Sequence, residues 1–248
     1  MSGQVVLITG AIAGIGRATA LAFAQYGARV VVSGRRDDAG QALAQELRGN
    51  GAEAEFIRAD VHHEEDVRNL VDQTVARFGR LDAAVNNAGT EGHPGPLTEQ
   101  SPDAYAATFD TNVLGTLLSL KHELRVMQPQ GRGSIVNLSS TMGHRAAPNA
   151  SLYVASKHAV EGLTKAAALE AAPFGVRVNA VAPGPIETEM LKRFTGSAER
   201  KAGLIAGVPL KRAGTPKEIA ETIVFLASDS ASFITGHIVS VDGGKCAL

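Results

Sequence analysis

Residues 5–20 read VVLITGAIAGIGRATA. A short β-branched run, Val5–Thr9, gives way to a loop carrying Gly10, Gly14 and Gly16, and then to an alanine-rich stretch with helical spacing. A strand that turns through glycines into a helix leaves the first backbone N–H groups of that helix without intrahelical acceptors. Such a turn lets the backbone approach a phosphate closely and favours negative charge there. The spacing is GxxxGxG rather than the common GxGxxG, and no lysine followed by Ser or Thr closes it, which argues against a nucleoside triphosphatase loop. At the first turn of an alternating strand–helix chain, the reading it supports is a dinucleotide site.

Outward from this stretch the same rhythm repeats. Short apolar runs recur at residues 29–34, 54–59, 81–87, 134–140, 176–183 and 237–244. They lack strict polar alternation, as strands buried on both faces do. Helical patterns lie between them at 15–27, 39–51, 64–79, 103–127, 151–172 and 216–228, the first with Ala18, Leu21, Ala22 and Gln25 on one face. Gly27, Gly49 and Gly79 stand where helices should stop. The alternation predicts an α/β chain with a single-domain, Rossmann-type doubly wound fold, a seven-stranded parallel sheet with helices on both faces. The domain is read as spanning residues 1–248. Residues 188–212 break the rhythm with a charged, partly helical insert after the sixth strand, a candidate substrate lid.

Bulk properties narrow the classes. A net charge of −1 leaves no footprint for nucleic acid or an anionic membrane surface. With Cys246 the only cysteine, no intramolecular disulfide is possible. There is no basic segment followed by a long apolar stretch at the N-terminus, and no apolar run approaches the ~18 residues of a membrane span. A cytoplasmic protein is the expectation.

The second predicted strand speaks to the cofactor. An acidic residue about 20 positions after the glycines commonly grips the adenosine ribose of NAD. Here the sequence is Ser33-Gly34-Arg35-Arg36, with no carboxylate and two guanidinium groups suited to a phosphate dianion. That favours NADP(H), with NAD the alternative, since Asp37 and Asp38 stand close enough to neutralise the arginines.

A further pattern is YVASK, residues 153–157. Tyr153 and Lys157 are about one helical turn apart and point the same way. By itself the pair also fits a half-buried tyrosine beside a snorkelling lysine. A cation beside a phenol, however, favours phenolate, the property that a proton donor and acceptor for a carbonyl oxygen would need.

The glycine spacing, the NNAG of residues 86–89 and the YxxxK of 153–157 stand in an order that resembles the short-chain dehydrogenase/reductase family from Val5 to Gly244. The resemblance implies a small-molecule ketone or secondary alcohol as substrate and a catalytic tetrad of Asn112, Ser140, Tyr153 and Lys157. Asn112 would hold a water leading from Lys157. It implies that Gly10, Ile12, Gly14, Ile15 and Gly16 line the pyrophosphate, that Ser33, Arg35 and Arg36 face the adenosine ribose, and that Asp60 and Val61 meet the adenine. Asn87, Ala88 and Gly89 would lie beneath the cofactor, Tyr153 and Lys157 beside its ribose, and Pro183, Gly184, Ile186 and Thr188 over its nicotinamide end. A homotetramer is expected on the same ground. Ile12 and Ala13 depart from the polar and basic residues many members carry, which leaves the NADP preference resting on Arg35 and Arg36.

Other residues attract other readings. His62-His63-Glu64-Glu65 reads as a helix start with acids favouring the dipole, not as a metal site. His93 and His144 are placed near the pocket mouth, and the pocket lining is expected from residues 90–97, 141–149 and 184–208. Rival functions are a 3-oxoacyl carrier-protein reductase, disfavoured by Phe174 where a basic residue would help but kept open by Arg125 and Arg132, a sugar or polyol dehydrogenase, and a dinucleotide sensor without turnover.

Overall fold

The structure is a computed structural model describing residues 1–247. Its strands and helices alternate in the order β1 (Val5–Thr9), α1 (Gly14–Gln25), β2 (Arg29–Gly34), α2 (Asp37–Gly49), β3 (Ala54–Arg58), α3 (Glu64–Phe78), β4 (Ala83–Asn86), α4 (Pro102–Phe109), α5 (Gly115–Gln130), β5 (Gly133–Leu138), α6 (Ser151–Ala171), β6 (Val176–Pro183), α7 (Glu189–Thr195), α8 (Ala198–Ala206), α9 (Pro216–Ala227) and β7 (Ile238–Val241). The strands form one parallel sheet of seven, ordered β3-β2-β1-β4-β5-β6-β7. The order reverses between β1 and β4, so the crevice of the sheet opens at their C-terminal ends, where ligands of open α/β sheets bind.

The period of two along each strand divides the core. Val6, Ile8, Val30 and Val136 face α1 and α9, whose Phe23, Ile219 and Ile223 are fully buried. Val5, Leu7, Val31 and Ile135 face the other way, against Leu70, Leu120 and Met127 of α3 and α5. Both faces of the sheet are therefore covered, and every residue of β1 and β4 is buried. Among the described residues no helix is long and apolar enough to cross a membrane.

Several local expectations are corrected. β4, β5 and β7 are shorter than their apolar runs, so Ser139 and Ser140 lie in the loop beyond β5. In α1 Ala22 is buried and Ala18 and Leu21 pack against the core as expected, with Gly16, Thr19, Ala20 and Phe23 buried beside them, but Gln25 is exposed. Gly79 ends α3 in the left-handed conformation as expected, but Gly49 is still helical and Gly51 makes the left-handed turn after α2. The helix expected over 103–127 is interrupted at Asp110–Leu114 by a π-turn, a widened register that recurs at functional sites.

Candidate active site

The glycine loop crosses the switch point. Gly10 has φ of +62°, and a Cβ there would lie 2.8 Å from the Cα of Ala88. A Cβ on Gly16 would lie 2.4 Å from the carbonyl oxygen of Gly10 and 2.5 Å from Asn87 Nδ2. The loop is thus folded hard onto the end of β4. Asn87 locks it, donating from Nδ2 to the carbonyl oxygens of Thr9 (3.1 Å) and Gly10 (2.9 Å). Ser33 is buried and serves the loop through its backbone, its carbonyl oxygen accepting from the Ala11 amide at 3.0 Å. Gly34 lies under Ile12, whose Cδ1 would be 3.3 Å from an added Cβ.

Arg35 and Arg36 are exposed at the mouth of this crevice. The sequence allowed Asp37 or Asp38 to neutralise Arg35. Asp37 pairs instead with Arg58 at 3.6 Å, and Arg35 has only a loose contact with Asp60 at 3.9 Å. Val61 faces inward, packed with Val67 and Leu118 and against Gly115.

Beyond the loop a cleft of about 900 Å³, counted with its open mouth, runs past Ile15, Asn87, Gly89, Ser140, Tyr153 and Lys157. Tyr153 and Lys157 share one face of α6. The Lys157 ammonium is buried, donates to the carbonyl oxygen of Leu138 at 2.7 Å, and lies 5.8 Å from the centre of the Tyr153 ring. Burial brings the Lys157 pKa down to about 8. Burial also pushes the Tyr153 phenol above its ordinary value; a hydrogen bond with Ser140 works against that shift, and the charge of Glu91 adds to it. Desolvation is the largest influence on the phenol in the chain itself, so Lys157 has to act together with the charge of the oxidised cofactor if phenolate is to form.

Ser140 Oγ accepts from the Met142 amide at 3.2 Å and faces the cleft, whereas Ser139 donates to the buried Glu161 carboxylate at 2.9 Å. Asn112 sits in the π-turn and is buried. Its Oδ1 accepts from the Thr90 amide at 2.8 Å, and its Nδ2 donates to the Thr90 carbonyl oxygen at 2.9 Å and to Ser156 Oγ at 3.0 Å. The amide pins the chain just past NNAG while Oδ1 stays close to Lys157 across Gly89.

The family model described as Enoyl-(Acyl carrier protein) reductase matches residues 10–245. A curated relative, the A-factor type gamma-butyrolactone 1'-reductase (1S-forming) of Streptomyces virginiae, is 44% identical over 98% of this chain and 96% of its own length. The chain belongs to the short-chain dehydrogenase/reductase family. As a member it is an NAD(P)-dependent oxidoreductase. Among solved structures, levodione reductase covers 100% of this chain and 99% of its own at 36% identity and a TM-score of 0.96. The structure of ElxO with NADP bound covers 99% and 100% at 38% identity and a TM-score of 0.93.

Within this short-chain dehydrogenase/reductase, Pro183, Gly184, Ile186 and Thr188 all line the cleft on the β6 side, and Thr188 also caps α7, accepting from the Leu191 amide at 3.2 Å. The expected pocket lining is partly corrected: Thr90, Glu91, Thr141 and Met142 line the cleft, but 92–97 and 143–149 do not, and Lys245 does. His93 borders a separate shallow depression. His144 turns away, 3.0 Å from Glu161 and 3.3 Å from Cys246 Sγ. His63 precedes α3 and Glu64 and Glu65 occupy its first turn. Sequence reasoning missed the ion pair of Glu91 with Arg193, at 2.6 Å, because nothing local relates residues 102 positions apart.

Proposed function

We propose that this chain interconverts a ketone and a secondary alcohol with NADP(H), Tyr153 passing the proton at the carbonyl oxygen. The observation that carries the reading is the convergence of Tyr153, Lys157 and Ser140 on the cleft that runs past Ile15 and Asn87, with Asn112 buried behind it against Thr90. The residues fit the dinucleotide: Gly10 and Gly16 leave the loop without side chains where it folds onto the end of β4, and two exposed guanidinium groups, Arg35 with only its 3.9 Å contact to Asp60, flank its adenosine end. When bound, the nicotinamide supplies or accepts the hydride.

The chain's own residues do the rest. Ser140, which lines the cleft together with Tyr153, orients the carbonyl oxygen. Tyr153 donates its hydroxyl proton to that oxygen in reduction and takes it back in oxidation. Lys157 holds the ribose hydroxyls and places its charge where phenolate must form. Asn112 fixes the Thr90 backbone and offers Oδ1 to the water that would return the proton to Lys157. Arg35 and Arg36 hold the 2′-phosphate by charge-assisted hydrogen bonds, and the solved relative with NADP bound supports this choice.

A carrier-protein substrate is disfavoured. Arg125 and Arg132, the arginines that kept it open, are engaged with Asp72 at 2.5 Å and Asp82 at 2.8 Å, and Phe174 is half exposed with no charge to offer. The proposal includes a homotetramer, supported by the half-buried edge strand β7 and the fully exposed Phe233 beside it. Oxidation of NADPH with a panel of cyclic ketones, sugars and acyl thioesters tests the function. Turnover of a ketone is the expected result; binding of NADPH with no turnover of any carbonyl compound would leave the sensor reading.

A further inference from the structure

The insert after β6 folds as α7 and α8, and its apolar side lies over the cleft through Met190, Leu191, Phe194 and Leu204. Its ends are tied by backbone bonds, from the Glu187 amide to the Gly214 carbonyl oxygen and from the Leu210 amide to that of Gly243. Most side-chain bonds of the two helices are internal to the insert or its root, such as Lys192 with Glu189 and Lys201 with Glu187. Among the described residues, one polar contact joins them to the far wall of the cleft. Arg193 donates from Nε to Glu91 Oε1 at 2.6 Å and from Nη2 to Oε2 at 3.2 Å.

The two partners are unequal. Glu91 is 9% exposed and follows directly on the segment that Asn112 pins, so its carboxylate is held on the rigid side. Arg193 is 61% exposed and rides on a helix of seven residues that ends at Gly196 in the left-handed conformation. A carboxylate buried without a partner is strongly disfavoured. The two-pronged contact fixes the rotation of α7 as well as its distance. We infer that Glu91 and Arg193 form a clasp that holds α7 closed over the substrate, with Glu91 as the fixed half and Arg193 as the half that leaves when the cleft opens. Arg193 is then a positioning residue that acts on substrate retention. This inference rests on the reading of the cleft as the substrate site.

The test compares Arg193→Ala, Arg193→Lys, Glu91→Gln and the double variant Glu91→Gln/Arg193→Ala, each saturated with NADP. Amide hydrogen exchange over residues 189–206 reads the clasp without any turnover. Arg193→Ala should speed that exchange about tenfold or more, as loss of hydrogen bonds to a charged group does. Arg193→Lys, which keeps the charge on one donor, should fall between it and the parent. The double variant should exchange no faster than the faster single one, since both remove the same contact. With a ketone that the parent reduces, KM should rise about tenfold in Arg193→Ala while kcat and NADP affinity stay within about threefold. Exchange unchanged in Arg193→Ala would overturn the clasp, as would loss of kcat at constant KM. If the parent reduces no carbonyl compound, the function proposed above fails, and the exchange measurement still decides the clasp.

Discussion

The Nζ of Lys157 lies 5.8 Å from the centre of the Tyr153 ring and donates to the carbonyl oxygen of Leu138 at 2.7 Å. The lysine is anchored to the end of β5, so its charge is held in place against the sheet edge. Burial lowers its own pKa to about 8 and raises that of the phenol. In the proposed function, positive charge brought by an oxidised cofactor would add to that of Lys157 in lowering Tyr153 for oxidation of an alcohol.

Tyr153→Phe removes the proposed proton donor and leaves the backbone and the neighbouring Lys157 in place. Single-turnover ketone reduction should fall by about 10²–10⁴-fold, the range of a positioned acid, with NADPH affinity nearly unchanged. Activity within tenfold of the parent would remove Tyr153 from the chemistry.

Lys157→Ala takes away a fixed cation and, in the proposed function, a ribose contact together. Cofactor affinity should weaken and alcohol oxidation should need higher pH, because phenolate loses the nearby positive charge that favours it. The pH profile of kcat/KM for oxidation should shift upward relative to the parent. A weaker cofactor affinity with an unshifted profile would show that Lys157 only binds.

Gly34→Asp places a carboxylate at the end of β2, in front of Arg35. The parent should bind NADP(H) more tightly than NAD(H) through a charge-assisted contact worth about 1.5–3 kcal/mol. The variant should reverse that order, since a carboxylate accepts from the 2′-hydroxyl and repels the 2′-phosphate. Ile12, whose Cδ1 would be 3.3 Å from the added Cβ, has to give by a few tenths of an ångström. Dissociation constants at matched ionic strength decide it; equal affinities in the parent would deny Arg35 and Arg36 a phosphate.

Glu123 makes stability depend on pH. It is fully buried on α5, accepts from Asn86 Nδ2 at 3.0 Å, and burial raises its pKa from 4.5 to about 7. The folded chain holds this proton where the unfolded chain has lost it. The stabilisation is therefore complete below pH 4.5 and lost as pH rises through 7, to the extent of about 3 kcal/mol. Glu123→Gln keeps the acceptor for Asn86 without the charge. It should flatten the dependence of Tm on pH between 5 and 8 and raise Tm at pH 8 by roughly 5–10 °C. A variant with the parent's slope would place the titration elsewhere.

The strand runs and the glycine turn were enough to determine the doubly wound sheet, and the family resemblance carried by NNAG and YxxxK to name Asn112, Ser140, Tyr153 and Lys157 as candidates. These features are legible because they are local: a buried parallel strand must be apolar on both faces, and the turn at position 10, with φ of +62°, favours glycine. Tertiary structure decided what depends on distant partners. The resemblance named Asn112, but only the fold showed the π-turn that brings it to Thr90, and Glu91 and Glu161 carried no sign of Arg193 or Ser139. The sign of the Tyr153 shift was also beyond the sequence, since the spacing to Lys157 reports the cation but only folding sets how much water is excluded from the phenol. Charge compensation and desolvation are properties of the packed interior, and one-dimensional spacing does not encode them.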